Sequence, residues 1–356
     1  MKERLKIEKF GPVKQLDIEI KPLTLFIGTQ GSGKSTVSKI ITIFRNQEWE
    51  KQIEEGNKDA LMKVFFDFNI DEYFQTDSYI LYTNAHVEIS YQNGEFSIKH
   101  ISEENKPISE NSSMLYIPAE RNLVGNLSSA LASIILAKVP LSETIIEYMS
   151  LFEKAKKEFP KYEIPFLGVS YEKKDGKERI VVSEEGKSLP LNACSSGLQS
   201  VLPMIMVMDY ALRNESFDSF VVEEPEQNLF PENQQELLNF ISSKLNTEYF
   251  KQCIITTHSP YMLSCLNVLM LAAKLHQNEN VKDETEKIIS SEYAVNPNDV
   301  AVYGLYPAGS SNDYCKSLIA NRTGLISINE LDSVSEMIGE RFDQLYQLYL
   351  KTFKKK

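Results

Sequence analysis

The stretch Gly28-Thr-Gln-Gly-Ser-Gly33-Lys34-Ser35-Thr36 has the residue types and spacing needed to hold a chain of phosphates. It follows the apolar run Leu23–Ile27 and opens a segment, Val37 to Phe44, with helical spacing. A strand, a glycine-rich loop and a helix in that order frame a phosphate-binding loop. Its glycines let backbone N–H groups turn inward at the positive end of the helix dipole. Gly28, Gln30, Gly31, Ser32, Gly33, Lys34, Ser35 and Thr36 are therefore predicted to form a nucleotide site. Lys34 would reach the β- and γ-phosphates, and the Ser35 hydroxyl would ligate magnesium.

A second group able to do chemistry is Glu223-Glu224, which ends the buried-strand pattern Ser219–Val222. Adjacent carboxylates each disfavour ionisation of the other, so such a pair is costly unless something uses it. Magnesium would use Glu223, directly or through water, opposite Ser35. Glu224 could then accept a proton from the water that attacks the γ-phosphate. His258 stands at the end of the next buried strand, Cys253–Thr257, where it could hydrogen-bond that phosphate and report its presence.

These groups must be positioned by the surrounding elements. Leu5–Phe10 and Leu16–Ile20 alternate apolar and polar residues and lead into the strand before the loop, placing the nucleotide site at the edge of a mixed sheet. Residues 47–74 have roughly helical spacing. Asn93-Gly94 predicts a hairpin in which Tyr91 faces Phe96 and Ile89 faces Ile98. A second hairpin turns at Asp175-Gly176, with Val169 and Tyr171 on one arm and Ile180 and Val182 on the other. Residues 128–139 and 141–159 read as two helices separated by Pro140, the second with an apolar stripe of Leu141, Ile145, Met149 and Phe152. The apolar run Val201–Leu212 reads as a buried helix that Pro203 should kink. Pro231 opens a polar helix to Leu245. Residues 276–297 read as an irregular exposed excursion, and Val300–Tyr303 as a last strand. Ser327 with Glu330 makes a capping box before a stripe of Leu331, Val334, Ile338, Phe342 and Leu345. Glu120-Arg121, after the strand Met114–Ile117, reads on its own as a solvated charged pair.

The 356 residues carry a net charge of −12, which argues against a generally basic nucleic-acid binder. The four cysteines form no CxxC pair and lie too far apart to suggest a zinc site. No apolar run approaches a membrane span, and the N-terminal residues show no apolar signal region. A cytoplasmic protein is the expectation.

Gly28–Ser35, Ser195-Ser196-Gly197 opening a helix, Val221–Glu224 and His258 together resemble the ordered motif set of ABC-type ATPase heads. Phe10-Gly-Pro12 within the opening strands resembles the SMC and RecF branch. Glu223–Pro231, Tyr116–Arg121 and Thr323–Ile326 resemble stand-alone bacterial ATP-binding proteins related to the OLD family, several of which serve phage-defence or toxin systems. The resemblance implies an α/β fold of the P-loop NTPase class: an ABC ATPase head with a mixed central sheet, an antiparallel β subdomain within 47–120, a small helical lobe and hairpin over 128–195, and a C-terminal strand and helix over 299–356. It also implies a Mg-dependent ATPase that forms a head-to-tail dimer, with Ser195, Ser196 and Gly197 meeting the γ-phosphate bound by the partner. Asn228 and Leu229 would stand at the D-loop that crosses the dimer interface. Glu224 and His258 would be catalytic, and Ser35 and Glu223 would hold the metal. The implied partner is an effector protein encoded nearby; DNA, as for RecF-like proteins of repair or recombination, is the alternative. Cys194-Ser-Ser-Gly-Leu198 departs from the family's Leu-Ser-Gly-Gly-Gln, and Glu223 stands where most members have aspartate. No glutamine follows Ile117 where the Q-loop begins; Glu120 or Arg121 occupies that region. The sequence after His258 shows no Asp-x-Asp, so no nuclease domain of the OLD type is expected.

Overall fold

The computed structural model describes residues 2–46, 52–53, 55–101, 113–127, 136, 141–174, 176–182, 186–306, 313–327 and 339–348. The helix expected over 128–139 apart from Leu136, Asp175 of the second turn, Glu330 of the capping box and the stripe positions Leu331, Val334 and Ile338 lie outside them.

The strands in chain order are Arg4–Phe10 (β1), Val13–Glu19 (β2), Leu23–Gly28 (β3), Tyr79–Thr83 (β4), Val87–Gln92 (β5), Glu95–His100 (β6), Met114–Ile117 (β7), Lys161–Ile164 (β8), Val169–Lys174 (β9), Lys177–Val182 (β10), Ser188–Leu189 (β11), Ser219–Glu223 (β12), Gln252–Thr257 (β13), Val300–Leu305 (β14) and Cys315–Ser317 (β15). They build three sheets: a six-stranded mixed sheet of order β15-β14-β3-β13-β12-β7, a five-stranded antiparallel sheet β2-β1-β4-β5-β6, and a four-stranded one, β11-β10-β9-β8. The phosphate-loop strand is thus not at a sheet edge. β3 lies inside the mixed sheet, parallel to both β14 and β13, while β1 and β2 belong to the antiparallel sheet. The burial patterns give the reason. β3 is buried at every position and needs cover on both faces, whereas β2 buries Val13, Leu16 and Ile18, exposes Lys14, Gln15 and Asp17, and needs it on one.

The helices are Lys34–Arg45 (α1), Lys58–Asp67 (α2), Glu143–Glu158 (α3), Ser196–Arg213 (α4), Pro231–Leu245 (α5), Pro260–His276 (α6) and Lys282–Ile288 (α7). Single turns cover Ala119–Leu123 and Val124–Leu127. Period-two alternation on the central strands splits the interior into two cores. Leu23, Leu25 and Ile27 of β3, with Phe220 and Val222 of β12 and Cys253 and Ile255 of β13, face a core shared with α3 to α6. Phe26, Val221 and Ile254 face the other, filled by α1 and the antiparallel sheet. The Asn93-Gly94 hairpin pairs Tyr91 with Phe96 and Ile89 with Ile98, and the second hairpin pairs Tyr171 with Ile180.

Helix α4 runs from Ser196 to Arg213 with Pro203 inside it, and burial of the residues from Ser200 to Asp209 holds the helix together where one backbone donor is missing. Two expectations change. The polar stretch after His276 contains α7, and a short β15 follows β14. Arg121 is wholly buried rather than solvated. Among the described residues no helix is long and apolar enough to cross a membrane.

Candidate functional site

The loop between β3 and α1 is shaped by its glycines. Gly33 caps α1 at φ 92°, a left-handed conformation open to glycine and strained for other residues. Val37 N donates to the Gly33 carbonyl at 2.9 Å, so the helix begins at once behind the loop. The Tyr314 hydroxyl donates to the Ser32 carbonyl at 2.5 Å and ties the loop to the segment after β14. Ser32 Oγ is buried and has no hydrogen-bond partner among the described residues. Lys34 folds back over the loop, its Nζ donating to the carbonyls of Gly28 at 2.9 Å and Thr29 at 3.0 Å. Burial pushes the Lys34 ammonium down to about 8, against the opposing pull of Glu224, Glu223 and Glu226.

Those carboxylates come from the C-terminal end of β12. Parallel pairing sets Glu223 beside Thr256 of β13, and β13 pairs with β3 up to Ile27. The three strand ends that carry Lys34's loop, the Glu223-Glu224 pair and His258 are therefore neighbours, at the carboxyl edge where open α/β sheets bind ligands. Glu223 is buried, and its Oε1 accepts from Ser38 Oγ of α1 at 3.4 Å. Ser38 lies one helical turn beyond Ser35, which places Glu223 beside the start of α1. Ser35 and Glu223 offer a hydroxyl and a carboxylate, the oxygen donors that magnesium prefers. The described residues contain no cluster of three or more His, Cys, Asp or Glu able to hold a metal alone. A magnesium ion would take its other ligands from phosphate and water.

Glu224 has φ 44°, uncommon for a residue with a side chain. Its Oε1 lies 3.3 Å from His258 Nε2. The hydrogen bond from His258 holds the Glu224 carboxyl below the usual carboxylate range, helped by Lys34 and Arg121 and opposed by burial. His258 is itself placed by Glu226, whose Oε1 accepts from His258 N at 3.1 Å and from Thr257 Oγ1 at 2.5 Å. Burial pushes the Glu226 carboxyl up.

Ser195 and Ser196 are exposed at the start of α4. Gly197 is buried there against the Asn228 carbonyl, from which an added Cβ would lie 2.7 Å away, with Leu229 beside it. The chain so divides its candidate residues into two groups. The phosphate loop, Glu223, Glu224 and His258 form one, and Ser195–Gly197 with Asn228 and Leu229 form the other. Among the described residues no hydrogen bond or ion pair joins them. Sequence reasoning missed Glu226, Tyr314 and Ser38. Glu226 follows the acidic pair closely enough to have been suspected, whereas Tyr314 and Ser38 had no local signal.

A family model described as an AAA ATPase domain matches residues 1–166 and 140–263. The chain belongs to that family. No curated protein matches it significantly. Among solved structures it is similar to the SMC head domain from Thermotoga maritima, at 12% identity over 74% of this chain and 92% of that one, TM-score 0.41. It is also similar to an SMC head bound to the C-terminal winged-helix domain of ScpA, at 13% identity over 90% and 98%, TM-score 0.45. A third is the SMC head with an extended coiled coil bound to the C-terminal domain of ScpA from Pyrococcus furiosus, at 12% identity over 95% and 98%, TM-score 0.42.

Proposed function

We propose that this AAA ATPase domain hydrolyses Mg-ATP and that two copies close around the nucleotide to do so. The observation that carries the hydrolytic reading is the convergence of Lys34, Glu223, Glu224 and His258 at three adjacent strand ends. The loop N–H groups and Lys34 would bind the β- and γ-phosphates, and the orphaned Ser32 hydroxyl sits where such a group would give it a partner. Ser35 and Glu223 would hold magnesium, which supplies charge neutralisation on the phosphates. Glu224, whose carboxyl Lys34 and Arg121 also hold low, would take the proton from a water attacking the γ-phosphorus in line, and ADP and inorganic phosphate would leave. His258 would change partner from Glu224 to the γ-phosphate as the nucleotide enters.

The second group of residues supports the dimer. Ser195 and Ser196 lie exposed at the N-terminus of α4, a position suited to receive a phosphate from outside the chain. The resemblance to OLD-related ATPases supports an effector protein, acting in anti-phage defence, as the object of the cycle. The net charge of −12 ranks duplex DNA behind a protein partner. The test is the solution mass of wild-type and Glu224→Gln protein with and without Mg-ATP. A dimer of the variant only with Mg-ATP supports the reading, and a monomer in every state removes it.

A further inference from the structure

Arg121 is the largest side chain of the described residues with no exposed surface. A buried guanidinium is ordinarily set against carboxylates, whose charge offsets its desolvation. This one donates to main-chain carbonyls instead: Pro118 at 3.1 Å, Glu223 at 2.5 Å and Glu224 at 2.6 Å. The last two are consecutive and flank the Glu224 Cα, where the backbone is left-handed. A conformation of that kind persists in a residue with a side chain only where the surroundings over-determine it. Two further bonds grip the same residue, Glu224 N to the Thr256 carbonyl at 2.9 Å and Gln227 N to the Glu224 carbonyl at 3.0 Å. Both of these come from β13 and from the Glu224 turn itself. Arg121 reaches it from a separate part of the chain.

The short turn that carries Arg121, Ala119–Leu123, packs on α3 and on α4, the helix that begins at Ser196. Its guanidinium therefore crosses from the helical side of the molecule to the strand end that bears Glu223 and Glu224. Without it the Glu223 carbonyl loses a buried donor and the Glu224 carbonyl is left with Gln227 N, and the Glu224 backbone is free to relax to negative φ. That relaxation swings the carboxylate away from His258.

We propose that Arg121 is a positioning residue for ATP hydrolysis: its guanidinium holds the left-handed backbone that aims the Glu224 carboxylate. The inference rests on the reading of Glu224 as proton acceptor and adds a residue that touches neither nucleotide nor water. Lysine at this position keeps the charge but lacks the planar fork whose two nitrogens span the Glu223 and Glu224 carbonyls.

The experiment is a double-mutant cycle of Arg121→Lys and Glu224→Gln, read as kcat and KM for Mg-ATP on samples shown to be folded by thermal melting. Arg121→Lys is expected to lower kcat about a hundredfold with KM within about threefold, the pattern of a misaimed catalytic group with intact binding. In the Glu224→Gln background the same change should cost less than about twofold, because its target is already gone. If Arg121→Lys does not fold, Arg121→Gln, neutral but with two N–H donors, takes its place in the same cycle. A folded Arg121 variant with wild-type kcat, or losses that multiply across the cycle, overturns the proposal. If Glu224→Gln itself turns over at the wild-type rate, the reading of Glu224 fails and the proposal falls with it. Inactive Glu224→Gln beside a fully active Arg121 variant overturns the positioning role alone.

Discussion

The charge on Lys34 makes nucleotide binding depend on pH in a direction the structure fixes. Burial pushes this ammonium down to about 8 in the free protein, where its hydrogen bonds go to the Gly28 and Thr29 carbonyls. ATP sets several negative charges beside it, which favours the protonated form throughout the accessible range. Above about pH 8 binding must therefore take up a proton, and affinity falls about tenfold per pH unit, or about 1.4 kcal/mol. At pH 9.5 binding should be about thirtyfold weaker than at pH 7. Calorimetric titration with a slowly hydrolysed ATP analogue and magnesium, run in buffers of different ionisation enthalpy, reads affinity and proton uptake together. Lys34→Arg should abolish the dependence whatever its own affinity, since arginine does not deprotonate here. The free protein's stability responds the other way. A folded-state value near 8, below the ordinary 10.5, makes charged Lys34 a cost at and below pH 8. That cost, about 3 kcal/mol for this residue, is relieved as pH rises from 8 towards 10.5. Flat affinity between pH 7.5 and 9.5 without proton uptake would refute the reasoning.

Three further outcomes follow from other contacts. Tyr314→Phe removes the tether on the Ser32 carbonyl and should weaken ATP binding by about 0.5–1.5 kcal/mol in the same titration, with little change in melting temperature. Glu226→Ala leaves His258 N and Thr257 Oγ1 without their buried acceptor and should cost about 1–3 kcal/mol in denaturant unfolding. Gly197→Ala would place a Cβ 2.7 Å from the Asn228 carbonyl, an overpacking of about 1–3 kcal/mol. In the Glu224→Gln protein it should abolish the ATP-dependent dimer seen by light scattering while leaving ATP binding intact.

Much of the fold was legible because local chemistry and tertiary context agree. Gly33 at a left-handed position, the Asn93-Gly94 turn and Pro231 at a helix start each carry their reason within a few residues. The approximate spans of β12 and β13 followed from short apolar runs ended by Glu223 and His258. What escaped depends on pairing between distant segments. Nothing local tells that β1 and β2 turn away into another sheet while β3 lies between β14 and β13, because strand order is a non-local property. Arg121 read as a solvated residue because a charged pair after a strand and a proline is common in surface loops. Its burial is set by carbonyls of residues 223 and 224, far along the chain. Tyr314 reaches the phosphate loop only because β14 pairs with β3.

The most direct measurement is release of inorganic phosphate from saturating Mg-ATP by wild-type and Glu224→Gln protein, with ATP binding measured on the same samples. The account predicts binding within about threefold for the two proteins and a rate at least about a hundredfold lower for the variant, the usual range for loss of a general base. Equal rates, or a wild-type protein that releases no more phosphate than Glu224→Gln, would contradict it.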